Sequence, residues 1–147
     1  MRSGLLGQLY DYRLLLGRRD IVRMALDDDE RDQLANLELR FLSISLRRRH
    51  LRQPLEMPAA IKVGPEFKPT TVIDVGGGGM RAEPAPELRV GDVTVVKIAD
   101  IVVGREYHLP VQVAWVAGKR MGLAFFGIPI ALRYGGGRAG LADDAAA

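Results

Sequence analysis

The chain has 147 residues, 48% hydrophobic and 27% charged, a balance that fits one folded domain with an appendage and excludes global disorder. The absence of cysteine excludes disulfides, thiolate metal sites and a cysteine nucleophile, and fits a reducing cytoplasm. The net charge of +3 is concentrated: residues 47–52, RRRHLR, carry four arginines and no acid, while the segment before them holds seven Arg against eight Asp/Glu and the segment after them ten basic against ten acidic side chains. Such a distribution favours a local anion site and argues against nucleic-acid binding, which needs an extended basic track.

At the N-terminus, Asp11 and Arg13 interrupt the apolar residues and no small-residue cleavage site follows, so no signal peptide is expected. No apolar run approaches the ~18 residues that span a bilayer, and membrane insertion is not expected. The first 53 residues lack proline and are rich in Leu, Arg, Asp and Glu, which predicts helix. A first helix is predicted over about residues 4–16, with Leu5, Leu9 and Leu16 among its apolar positions and a break around Gly17. Asp27-Asp28-Asp29-Glu30 reads as a helix start: Asp27 caps, Glu30 sits three residues on, and the acids favour the positive end of the dipole. Leu34, Leu37, Phe41 and Ile44 then form one apolar stripe on a helix of roughly residues 28–45. That stripe either packs on the chain's own barrel or joins two subunits as a homodimer through the N-terminal helices.

Beyond Pro58 the period changes from helical to alternating. Tyr107, Leu109, Val111, Val113 and Trp115 alternate with His108, Pro110, Gln112, Ala114 and Val116, which predicts a half-buried strand with Pro110 at an edge or bulge. Thr70 to Val75, Val93 to Ile101 and Met121 to Phe126 are β-rich, and Gly91-Asp92, Gly104 and Ala117-Gly118-Lys119 mark turns. Short strands at this spacing predict an antiparallel barrel or sandwich. The terminal GGGRAGLADDAAA has no periodicity and is expected to be a disordered tail.

Two motifs carry chemistry. Arg47-Arg48-Arg49-His50-Leu51-Arg52 offers planar guanidinium forks that grip phosphate, read guanine O6 and N7 together, or stack on a base. A basic hexapeptide is more often a solvated linker. Asp74-Val75-Gly76-Gly77-Gly78-Gly79-Met80 lies between two strand patterns; its glycines allow positive φ angles and close approach of a ligand, or serve a plain turn. An ionised Asp74 can accept from guanine N1–H and N2–H₂. The two histidines, His50 and His108, fit no metal-ligand or Ser/His/Asp arrangement, and the 27–30 acids do not match a calcium loop, so neither an enzyme nor a metal site is expected.

Together the motifs resemble the PilZ family, whose pattern is RxxxR followed by (D/N)xSxxG. Arg48 and Arg52 match the two arginines, and Asp74 and Gly79 match the ends of the second part. Leu88-x-x-Gly91, VQVAWV ending at Val116 and Gly122-Leu-Ala-Phe125 are similar to the family's downstream stretch, so the resemblance covers about residues 47–131. It implies a mainly β fold, a six-stranded antiparallel β-barrel, here preceded by a pair of α-helices. The organisation expected is a helical region at 1–46, the barrel at 47–134 and the tail at 135–147. It implies a bacterial, cytoplasmic cyclic dimeric GMP receptor with no other cofactor. The expected ligand-binding residues are Arg47, Arg48, Arg49, Arg52, Asp74, Gly76, Gly78 and Gly79. By the resemblance, Arg48 and Arg52 grip guanine and phosphate, Asp74 holds a guanine edge, Gly79 permits the turn, and the arginine segment folds over the ligand on binding. Ligand binding would change the helix–barrel arrangement and signal to a protein partner that the sequence does not identify. One departure stands out: Gly76 occupies the serine position, so that hydroxyl is missing. A degenerate domain that acts only as a protein adaptor is the alternative.

Overall fold

The computed structural model describes residues 4–41 and 52–133. Two helices come first, α1 over Leu5–Gly17 and α2 over Asp28–Phe41. Seven strands follow: β1 Arg52–Val63, β2 Glu66–Gly76, β3 Gly79–Glu83, β4 Val93–Asp100, β5 Arg105–Ala117, β6 Arg120–Phe125 and β7 Ile130–Arg133. Six of them close an antiparallel barrel in the order β4-β1-β2-β3-β6-β5, with β5 pairing back onto β4. β7 pairs with the first residues of β5, outside the ring. The expected mainly β barrel behind two helices is the architecture observed, with one strand added.

The alternation read in β5 sets the barrel's interior. Tyr107, Leu109, Val111 and Val113 are buried and meet Val72, Val75, Met80, Val96, Ile98 and Leu123 in the core. Pro110 lies in a gap in the pairing: on that side of β5, β7 pairs up to His108 and β6 from Val111 onward. The Pro110 carbonyl accepts from Phe126 N at 2.9 Å. Its missing N–H, which points to the same side as its carbonyl, therefore falls where no ladder bond is needed. β1 carries Pro54 and Pro58 and, among the described residues, is paired on its second edge at Ala60 and Ile61 alone, which leaves an edge that tolerates proline.

The helices are seated on this barrel by α1. Tyr10 meets Tyr107 with ring centroids 5.2 Å apart. The Arg13 guanidinium lies 5.4 Å from the centre of the Phe125 ring. The α-helix ends at Gly17, where the sequence places a break, although the chain does not leave the helical path there. The chain continues through a π turn, Arg18–Val22, and stops at Arg23, which is left-handed with φ 64°. Gly17 also serves packing, because a Cβ there would stand 2.7 Å from Ile128 Cγ1.

The start of α2 is as read from its sequence. Glu30 N donates to Asp27 Oδ1 at 2.7 Å and Asp27 N donates to Glu30 Oε1 at 3.1 Å, a reciprocal cap. Its stripe belongs to the chain's own core, in one buried cluster with residues of the barrel. Leu34, Leu37 and Phe41 are buried within the chain, and Phe41 stacks on Tyr12 of α1 at 5.2 Å. Ile44, the tail and the arginines before Arg52 lie outside the described residues.

Candidate functional site

The two motifs meet through strand register. β1 pairs with β2 so that Arg52 stands opposite Gly76, Gln53 opposite Val75 and Pro54 opposite Asp74. The end of the arginine segment thus enters the barrel beside the glycine run. Arg52 is placed here by its backbone; Arg47, Arg48 and Arg49 lie outside the described residues.

Two irregularities then decide which side chains face outward. The β2–β3 ladder shifts between Val72 and Asp74, so Val72 pairs with Ala82 and Asp74 with Arg81. The β5–β6 ladder shifts between Val113 and Trp115, so Val113 pairs with Leu123 and Trp115 with Gly122. A one-residue slip moves side chains to the other face of a sheet. Val72, Ala82, Val113 and Leu123 remain in the core, while Asp74 and Trp115 come to the outer face, where Arg81 already lies by plain alternation between the buried Met80 and Ala82. Across five strands the register gives one row: Pro54, Asp74, Arg81, Gly122, Trp115. This corrects the plain alternation, which grouped Trp115 with the inward residues of β5.

Asp74 is only 6% exposed although it lies on the outer face. Arg81 Nε donates to Asp74 Oδ2 at 2.8 Å, and its Nη2 donates to the same oxygen. The hydrogen bond and the charge of Asp74 hold the Arg81 guanidinium above its ordinary pKa. The pair is a charge-assisted unit with both donors converging on one carboxylate oxygen.

The glycine run turns the chain from β2 into β3 and is clamped at successive carbonyls. Arg13 Nη1 donates to Gly77 O at 3.2 Å, and Phe125 N donates to Gly78 O at 2.8 Å. The left-handed glycines among the described residues are Gly64, Gly91, Gly104, Gly118 and Gly127, all outside the run. The expectation of positive φ there is therefore corrected, and at Gly79 the need is close approach. A Cβ on Gly79 would stand 2.2 Å from Leu123 O, so only glycine lets β3 lie against β6 at that point. Gly122 does the same for an aromatic ring, since a Cβ there would stand 2.1 Å from Trp115 Nε1.

Gly76, Gly78, Gly79, Ala114, Trp115 and Gly122 line a cleft of about 180 Å³. It is smaller than the roughly 300–1,000 Å³ of self-sufficient ligand pockets, and has room for part of a nucleotide against its floor. Arg52, Asp74, Gly76, Gly78 and Gly79 are brought to this one region by register or by lining the cleft. Sequence reasoning missed Arg81, Trp115, Gly122 and Arg13. The one usable signal was that Trp115 is the chain's single tryptophan. The others depend on two bulges and a helix docking that no local pattern shows.

Among the described residues no group of three His, Cys, Asp or Glu is placed to hold a metal ion, and no helix is long and apolar enough to cross a membrane. In comparison with known proteins, the family model described as the PilZ domain matches residues 46–134, the barrel and its entry. A search of curated proteins finds no match to the chain. The match spans more than half the chain and coincides with the closed barrel, while α1 and α2 precede it. The chain therefore belongs to the PilZ family, a family of binding and adaptor modules that are generally receptors for cyclic dimeric GMP.

Proposed function

We propose that this protein is a cyclic dimeric GMP receptor whose site is the outer face of the barrel around the glycine run. The single observation that carries the reading is the register: Arg52 opposite Gly76, and Asp74, Arg81, Gly122 and Trp115 in one row beside the cleft. Each part has chemistry for a guanine nucleotide. Trp115 offers a stacking face, worth about 1–3 kcal/mol per base. Asp74 accepts from guanine N1–H and N2–H₂, which discriminates guanine from adenine. The arginines of the 47–52 segment supply forks for phosphate and for guanine O6 and N7. The cleft alone is too small for a whole dinucleotide, and a ligand larger than it would extend toward the β1 end, where Arg52 pairs with Gly76.

Because both Arg81 donors meet Asp74 Oδ2, a guanine edge that uses this oxygen must share it with Arg81 or move the guanidinium aside. A released Arg81 then faces the ligand as one more cation. Ligand held between the arginine segment and the glycine run would pull on the junction between α2 and β1, change how the helices lie against the barrel, and so signal to a protein partner. The role is that of a cytoplasmic, non-enzymatic effector.

A second reading is favoured by one observation. Gly76 lacks the hydroxyl of the family's motif, and a lost hydrogen bond to a charged ligand costs roughly 1.5–3 kcal/mol. A domain weakened in this way would act as an adaptor without the nucleotide. Isothermal titration calorimetry with cyclic dimeric GMP separates the two. The receptor reading predicts saturable binding that Arg52→Ala and Asp74→Ala each weaken tenfold or more. The absence of heat at high micromolar ligand would leave the adaptor reading.

A further inference from the structure

We infer that Arg13 of α1, which lies outside the family match, is a positioning residue that ties the N-terminal helices to the ligand-binding turn. The inference rests on the receptor reading above. Arg13 Nη1 donates to Gly77 O at 3.2 Å, and Gly77 sits between two glycines of the cleft, Gly76 and Gly78. The same guanidinium covers Phe125 at 5.4 Å, and Phe125 N holds Gly78 O at 2.8 Å. Helix α1 and strand β6 thus grip two neighbouring carbonyls of one turn, and their grips touch each other.

The choice of residue is informative. Arg18 pairs with Glu30, Arg19 with Asp20 and Arg31 with Asp28. Arg13 instead directs its charge to a backbone carbonyl and an aromatic face, and its Nε is buried with no hydrogen-bond partner among the described residues. Burial lowers its pKa from the ordinary arginine value, with Tyr12 and Asp20 acting in the opposite direction. A cation held this way is underused by the resting protein. An anionic ligand entering over Gly76–Gly79 improves its surroundings, and any shift of Gly77 O moves the α1 side chain bonded to it. The Tyr10–Tyr107 contact and the close fit of Gly17 on Ile128 hold the rest of α1 against the barrel, so a displacement at Arg13 is transmitted as a tilt of α1, and through Tyr12–Phe41 to α2.

The test combines calorimetric titration with amide hydrogen exchange on the full chain, with and without cyclic dimeric GMP, for the wild type, Arg13→Met and Arg13→Lys. In the wild type, ligand is expected to change exchange across the α1 amides around Leu9 to Leu15. Arg13→Met is expected to bind about tenfold more weakly and to lose the ligand-dependent change in α1, while Arg13→Lys, which keeps a charged donor, recovers part of both. A merely structural contact would shift apo and ligand-bound stability equally and leave the α1 response intact. Wild-type binding with no α1 response, or an Arg13→Met variant that binds and responds as the wild type does, overturns the coupling alone. Wild-type protein that binds no cyclic dimeric GMP overturns the receptor reading and the coupling with it.

Discussion

Gly122→Ala is the substitution that separates the cleft from the barrel that carries it. A methyl carbon at this position would stand 2.1 Å from Trp115 Nε1, 2.4 Å from Cε2 and 2.7 Å from Cδ1, against ordinary contact from 3.4 Å outward. The indole must therefore move by roughly 1.3 Å or rotate off the sheet, and it can do so because it lies on the outer face at the rim of a cleft. A tryptophan buries on the order of 200 Å². If about a quarter of that is returned to water, the cost at ~25 cal/mol per Å² is about 1.3 kcal/mol. For a chain of this size that lowers the thermal midpoint by about 3–5 °C, a loss the barrel survives. Since Trp115 is the only tryptophan, its fluorescence reports on this site alone. Gly122→Ala is expected to red-shift the emission, raise quenching by acrylamide, and weaken cyclic dimeric GMP binding about tenfold or more through lost stacking. Emission, quenching and affinity all equal to the wild type would refute the placement of Trp115 against Gly122 and its part in the site.

Three other substitutions probe separate features. Gly79→Ala is expected to be the more damaging glycine change, by about 3 kcal/mol in denaturant unfolding, because the 2.2 Å clash is with the backbone oxygen of Leu123, which cannot swing aside. Gly76→Ser restores the hydroxyl of the family motif and is expected to tighten binding by about tenfold in calorimetry, the worth of one hydrogen bond to a charged ligand. Asp11 has its pKa raised by burial, opposed by the charge of Arg105. A raised carboxylate pKa means that the folded state holds the proton more tightly, so the penalty is absent below the unfolded value and fully present above the folded one. Asp11→Asn is therefore expected to melt higher than the wild type at pH 7, with the difference shrinking as the pH falls to the usual carboxylate range and below.

The barrel was legible in the sequence because its interior obeys a period of two. Tyr107, Leu109, Val111 and Val113 read inward from alternation alone, and the Asp27–Glu30 cap follows from two side chains three residues apart. What was not legible is what depends on breaking a period or on distant contacts. Trp115 belongs by alternation with the core, and only the slip after Val113 sends it outward. Arg81 gains meaning only once the β2–β3 ladder slips to set it opposite Asp74. The glycine run is legible as a turn, but the positive φ expected of it is not found. Gly79 is needed for strand contact, and the left-handed turns lie elsewhere. The end of the α-helix at Gly17 is legible, but not the reason for glycine there, since helix propensity carries no information about Ile128, which is more than a hundred residues away and occupies the space a side chain would need.

The measurement that tests the central claim most directly is a fluorescence titration of Trp115 with cyclic dimeric GMP, run beside cyclic dimeric AMP. If the outer face around Asp74, the glycine run and Trp115 is the messenger site, cyclic dimeric GMP gives a saturable change in emission that Asp74→Ala removes. Cyclic dimeric AMP, which lacks the N1–H and N2–H₂ donors that Asp74 accepts, gives none over the same range. No change with either nucleotide, or an equal change with both, would contradict the account.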